Sequence, residues 1–239
     1  MSAAGSEATA LDPSWPAFTT PIELWGQEQS INTHKTALML RMCEVPFNFH
    51  AVNIQKGDHK APEYEARNPF GRVPTFRQGD LVLCQTINQL DYLARRTGRF
   101  GAATIMERYE IENWANFATD YFSVGLARLR FINRFGAPPG LDGAMLKDFF
   151  RPNMLRGMGA LERHLGADRD WIAFGRPSLA EFIVHPFVAV WRDAELDIAD
   201  YPATAAWLDR FAAVPGYAEP EGWLRTITGT PAPDAGRFG

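Results

Sequence analysis

Cysteine is scarce: Cys43 and Cys84 are the only two in a chain of 239 residues. Two thiols make no disulfide framework for a chain this long, and they stand in no metal-ligand spacing. The expectation is a metal-free protein of a reducing cytoplasm. Long apolar runs are absent too; none approaches the ~20 residues of a membrane helix, so no membrane association is expected. Charge of one sign is also missing. The net charge is −4, with Lys and Arg scattered along the chain, which argues against nucleic acid or an anionic membrane as the main partner. Residues 1–20 hold Ala, Ser, Gly and Pro with acidic Glu7 and Asp12. They lack the basic start and apolar centre of a secretory signal and read as a flexible extension. What is present is an ordinary globular mixture, 46% hydrophobic and 22% charged, sufficient for a full core.

The first half reads as mixed α/β. Ile22–Trp25 is a short apolar strand, and Leu38, Met39, Met42 and Cys43 recur at helical spacing, which predicts an amphipathic helix over Asn32–Cys43. Pro46 stops it. Phe47–Val52 alternates as a half-buried strand does, and Ala61–Arg67 forms a short helix before Asn68-Pro69. Val73–Phe76 and Leu81–Cys84 flank the turn signal Gln78-Gly79-Asp80 and read as a hairpin. A helix over Thr86–Arg96 ends at Gly98. This is the order of a thioredoxin-like domain. Gly98–Thr104 is the expected linker. Beyond it the pattern is helical over Ile105–Phe131, Leu141–Leu165, Ser178–Trp191 and Pro202–Val214, with Ser178 and Glu181 spaced as a capping box. The expected division is 1–20, extension; 21–97, thioredoxin-like domain; 104–222, all-helical domain; 223–239, tail.

Three patterns carry chemistry, each beside a plainer reading. Ser30-Ile31-Asn32-Thr33 stands at the junction of the first strand and helix, where unpaired N–H groups and the helix dipole favour an anion. Ser30 or Asn32 as a simple cap is the alternative. His59-Lys60 and Arg72 are donors suited to a carboxylate, or solvated surface charges. The Val73-Pro74 step entering a hairpin points to a cis bond with the Val73 backbone facing a ligand, against an ordinary trans turn. Gln85-Thr86 opens a helix; its N–H groups suit a carboxylate and the Gln85 amide an amine, or Thr86 is only an N-cap.

In that order, with Asn68-Pro69-Phe70-Gly71-Arg72-Val73-Pro74 followed by Gly79-Asp80-Leu81, the run from Ser30 to Leu93 resembles the glutathione-binding domain of cytosolic glutathione transferases. The pattern is similar to the plant phi class and its bacterial relatives. Gly175-Arg176-Pro177-Ser178-Leu179-Ala180-Glu181 is similar to the family's capping motif in the helical half, and the resemblance covers residues 21–220. It implies a thioredoxin-like domain followed by an all-α domain, a cytoplasmic homodimer, and glutathione as co-substrate with no metal. It implies that Ser30 donates to the glutathione sulfur and that His59 and Lys60 hold the glycyl carboxylate. Val73 would bond the cysteinyl unit through its backbone, and Gln85 and Thr86 would hold the γ-glutamyl end. Arg72 stands where the family commonly has Gln or Lys, and would add charge near the carboxylate. Gln85-Thr86 replaces the phi-like Glu-Ser, and Glu181 replaces an Asp.

The activity implied is detoxifying transfer: glutathione's thiol, near pKa ~8.5 when free, is held as a thiolate and attacks a small hydrophobic electrophile or a peroxide. Trp114, Phe117, Tyr121 and Phe122 form an aromatic face on the first long helix of the second domain, either lining the second substrate's pocket or packing as core; Trp223 is a further candidate to close that site. Three rivals stay open. The fold serves as a non-catalytic binding module; it serves as a thiol transferase or dehydroascorbate reductase, which the serine at position 30 disfavours; or it is a glutathione-dependent isomerase or lyase.

Overall fold

The computed structural model describes residues 19–220 and 222–228. Positions 1–18 of the expected extension and 229–239 of the tail lie outside the described residues. The architecture is a four-stranded mixed sheet with helices, followed by a helical region, in agreement with the expected fold class. Strand β1 (Ile22–Gly26) turns Ile22, Leu24 and Gly26 inward and Glu23 and Trp25 outward, the period of two that a half-buried strand requires. It pairs parallel with β2 (Phe47–Ala51) and antiparallel with β3 (Thr75–Gln78). β4 (Leu81–Leu83) completes the order β2-β1-β3-β4. The hairpin turn is therefore Gly79-Asp80, with Gln78 inside the ladder.

Helix α1 (Ile31–Met42) departs from the amphipathic expectation. Every residue of it is buried except Asn32 and Arg41, because helices cover it on more than one side: α3 (Thr86–Thr97) and α7 (Leu179–Val188) both pack on it. Thr33, His34, Lys35 and Thr36 thus stand inside the molecule. The short α2 (Pro62–Glu65) begins on Pro62.

In the second half the expected single helix Ile105–Phe131 is broken. It divides into α4 (Ile105–Phe117), a π-helical stretch Ala118–Ser123, and α5 (Leu126–Phe135). The cause is tertiary. At Gly125 the backbone of α6 (Gly143–Leu165) passes so close that a Cβ would lie 2.4 Å from the Met154 amide nitrogen. Asp142 caps α6, its Oδ1 accepting from Ala144 N–H at 2.8 Å. The capping box of α7 is present: Ser178 N–H and Oγ–H donate to Glu181 Oε2 at 2.7 and 2.8 Å, and Ile172 N–H donates to Oε1 at 2.7 Å. α7 stops at Val188, short of the expected Trp191. α8 (Pro202–Ala212) takes its N-terminal partner from α6, where Glu162 accepts from the N–H groups of Ala203 and Thr204. α9 (Trp223–Thr228) is short.

Where α1 meets α7, buried His34 and His185 are electrostatic neighbours, and burial holds each imidazole down at about 3. Lys35 Nζ stands 3.6 Å from the centroid of the Phe187 ring. The apolar core runs without interruption from the sheet through α1 into α7 and α8.

Candidate active site

Ser30 occupies the N-cap of α1, in extended geometry, and its Oγ accepts the Thr33 N–H at 3.3 Å. The capping reading of this residue is therefore correct, and it does not exhaust the hydroxyl. Accepting through a lone pair leaves the Oγ proton unspent, and a serine hydroxyl both donates and accepts. Ser30 is half-buried and Asn32 exposed.

His59 and Lys60 lie in a single 3-10 turn, Asp58–Lys60. The Asp58 carboxylate accepts the Asn53 N–H at 2.9 Å and so closes the loop that presents them. Burial lowers the His59 pKa, and the neighbouring Lys60 charge adds to that, so the ring is neutral at pH 7. Its Nδ1 is buried without a partner. The turn lies against the loop carrying Arg72. A Cβ on Gly71 would meet Lys60 Nζ at 2.6 Å and the His59 carbonyl at 3.2 Å, and Gly71 has φ +51°. Only glycine suits both the approach and the dihedral.

The Arg72 carbonyl is gripped twice, by Tyr64 Oη–H at 2.8 Å and Asn68 Nδ2–H at 2.7 Å. Both side chains also bond Thr75 Oγ1. This buried network fixes the backbone entering Val73. The Val73-Pro74 peptide is cis, as the sequence predicts, and Val73 lies ahead of the β3 ladder. The Arg72 side chain is exposed and makes no ion pair among the described residues.

Gln85, rather than Thr86, holds the N-cap position of α3, and its side chain makes no capping bond. The exposed amide is left to bond elsewhere. Cys84 is not inside the sheet: it follows β4, half-buried, with its Sγ 3.6 Å from the Arg67 carbonyl. Burial raises its pKa, so the thiol form predominates.

The structure thus brings His59, Lys60, Arg72 and Val73 together on touching loops, and sets Ser30 and Gln85-Thr86 at two helix N-termini. The aromatic candidates stand in the helical half. Trp114 packs edge-on against Phe117 (5.3 Å between ring centroids) and His164 (4.7 Å), and Phe117 lies 4.7 Å from Tyr121. Phe122 is wholly buried and belongs to the core. Trp223 docks on α1, its indole N–H donating to His34 Nδ1 at 3.3 Å and Arg41 stacking on its ring. Tyr64, Asn68 and Gly71 build the candidate site although spacing alone does not reveal them; Asn68 and Gly71 are signalled by their place in the Asn-Pro-Phe-Gly run, and Tyr64 by nothing in the local pattern. Among the described residues no group of three His, Cys, Asp or Glu side chains converges as a metal site.

Residues 20–95 match the family description of the glutathione S-transferase N-terminal domain, and residues 126–210 that of the C-terminal domain. The chain belongs to the glutathione transferase family. Among curated relatives, a probable glutathione S-transferase (GSTF2) of Oryza sativa subsp. japonica is 28% identical over 126 residues, 50% of this chain and 59% of that one. A second rice protein, probable glutathione S-transferase GSTF1, is 37% identical over 77 residues, 32% and 35% of the two chains. The chain therefore spans about a third to little more than half the length of these curated relatives. A solved glutathione transferase family member from Pseudomonas fluorescens, with two glutathione bound, is 26% identical at a TM-score of 0.74, covering 84% of this chain and 93% of that one. A possible glutathione S-transferase from Rhodopseudomonas palustris shares the fold at 23% identity and a TM-score of 0.76, over 84% and 90% of the two chains.

Proposed function

We propose that this protein is a glutathione transferase that holds the glutathione thiol as a thiolate for attack on a small hydrophobic electrophile or a peroxide. The observation that carries the reading is the state of Ser30, a hydroxyl whose lone pair is taken by Thr33 N–H while its proton is free. At a helix N-terminus that proton stabilises a sulfur anion, as the dipole does. Each unit by which the thiol pKa falls from ~8.5 corresponds to about 1.4 kcal/mol of preference for the thiolate. Neutral His59, with Lys60 and Arg72, supplies donors for the glycyl carboxylate. The Val73 backbone serves the cysteinyl unit, and Gln85 and Thr86 the γ-glutamyl end. Trp114, Phe117 and Tyr121 form the apolar wall for the second substrate. The absence of a membrane-length apolar helix among the described residues fits action in the cytoplasm. Exposed Phe70, Ile87, Ile105, Met106 and Tyr109 give apolar surface for a second copy of the chain, which sedimentation would reveal as a dimer.

Calorimetric titration with glutathione, followed by conjugation of a chloronitrobenzene, tests the reading. Saturable binding with turnover supports it. Binding without turnover points to a non-catalytic module or a specialised isomerase or lyase, and no binding sinks it. A second reading is thiol–disulfide exchange, which consumes two glutathione per disulfide reduced; the Pseudomonas fluorescens protein has two glutathione bound. Reduction of a small organic disulfide by glutathione, faster than chloronitrobenzene conjugation, would select it.

A further inference from the structure

Gln89 of α3 is wholly buried, and its amide reaches three segments at once. Nε2 donates to the Leu83 carbonyl at 2.8 Å and to the Pro74 carbonyl at 3.2 Å, while Oε1 accepts from Thr36 Oγ1 at 2.6 Å. Turned over, the amide would set its oxygen against two carbonyls, so this orientation alone satisfies every group. Each bonded segment leads to candidate site residues. Thr36 stands on α1, which Ser30 caps; Pro74 follows Val73; Leu83 ends β4, two residues before Gln85. Its neighbours on α3, Leu90, Leu93 and Ala94, are buried and apolar. A hydrophobic residue at 89 would fill the same space without fixing distances, whereas a directional bond inside a low-dielectric core sets them closely.

We propose that Gln89 is a positioning residue that holds the Ser30, Val73 and Gln85-Thr86 segments at the mutual spacing glutathione requires, an inference that rests on the function proposed above. It touches none of the reacting atoms and acts through the backbone of the two loops and through α1. Gln89→Leu removes all three bonds at nearly equal volume. The expected result is glutathione binding weakened about tenfold, equivalent to about 1.4 kcal/mol, seen as a raised KM for glutathione. Because the Ser30 donor itself is retained, the kcat at saturating glutathione and the pKa of the bound thiol should change less than in Ser30→Ala. Thr36→Val removes one bond of three and should weaken binding by about two- to threefold. Gln89→Glu keeps the size and the Thr36 bond but faces two carbonyls with acceptors, and should lose as much affinity as the leucine variant. Amide hydrogen exchange on the ligand-free protein supplies an independent readout: Val73, Gln85 and Thr86 should exchange faster in Gln89→Leu while α6 keeps its protection. Unchanged affinity and unchanged exchange in a folded Gln89→Leu would overturn the proposal, and so would a uniform rise in exchange along the chain, which is general loss of packing. If Gln89→Leu does not fold, Thr36→Val decides by the same measurements. If the wild type binds no glutathione, the functional reading falls, and locally faster exchange at residues 73 and 85–86 still decides whether the clamp exists.

Discussion

Ser30→Ala deletes a helix cap and a proton donor together, and the two losses read out differently. The cap belongs to stability, worth about 1 kcal/mol in comparable helices. The donor belongs to chemistry. The variant is expected to keep most glutathione affinity, which rests on the other segments, while the apparent pKa of the bound thiol rises and turnover falls. Thiolate absorbance titrated with glutathione bound measures the shift, and Ser30→Thr should restore both properties. A pKa unmoved in Ser30→Ala would transfer the role to Asn32 or Thr33. Arg72 is argued at the same scale. Its exposed guanidinium is unpaired among the described residues, so its attraction for the glycyl carboxylate is that of a surface pair, about 0–1 kcal/mol. Arg72→Gln should bind glutathione up to several-fold more weakly, with less dependence on salt. Equal binding by both proteins at low and high salt would assign the carboxylate to His59 and Lys60 alone. Ser30, His59-Lys60, Val73 and Gln85 stand out in the sequence as candidates because each occupies a punctuated position, a helix start, a glycine turn or a proline step. Gln89 was not legible. A lone amide within a helical run reads as surface until the carbonyls it serves are brought to it by distant parts of the chain.

At the scale of elements, the strands, α3 and the capping box of α7 follow from local pattern, and the departures share one cause. The periodicity of Ile105–Phe131 is continuous, and nothing near Gly125 announces an end; the break is imposed by the passage of α6 at Met154. In the same way α1 shows an apolar stripe through Leu38, Met39 and Met42, yet Thr33, His34, Lys35 and Thr36 are buried as well, because α3 and α7 both pack on it, with Thr36 bonded to Gln89 of α3 and Lys35 set against Phe187 of α7. Tertiary partners decide both cases. Gly125→Ala tests the first. The added Cβ would stand 2.4 Å from the Met154 nitrogen and 2.7 Å from its Cα, backbone atoms that cannot swing aside. The expected cost is about 1–3 kcal/mol or more, as for overpacked interiors generally, read from urea unfolding. Helix propensity alone would make alanine the better residue here. A variant as stable as the wild type would show that α5 and α6 separate freely at this crossing.

The whole molecule is joined where α1 meets α7, and that junction is built on neutral histidines. His34 gives its Nδ1 to the Trp223 indole N–H, while His185 lies among Trp207, Phe211 and Tyr217. Burial lowers both to about 3 from the ordinary 6.5, and for His185 the nearby His34 adds to it. In the unfolded chain both imidazoles take up protons as the pH falls through about 6.5, and in the folded chain they do so only near 3. Between those values the unfolded state binds more protons, so stability is complete above the upper value and declines as the medium is acidified. The limiting slope is about 1.4 kcal/mol per pH unit for each histidine. The expectation is a protein that loses its domain contact in mild acid well before its surface carboxylates are neutralised. His185→Phe keeps an aromatic ring in the cluster and removes one titration; His34→Gln removes the other. Urea unfolding at several pH values between 4 and 7 should show each variant losing about half of the pH dependence attributable to the pair, whatever its absolute stability. Groups common to both proteins cancel in that comparison of slopes. Parallel curves for wild type and variants would mean that the histidines titrate alike in folded and unfolded chains, and that the seam between α1 and α7 opens to water.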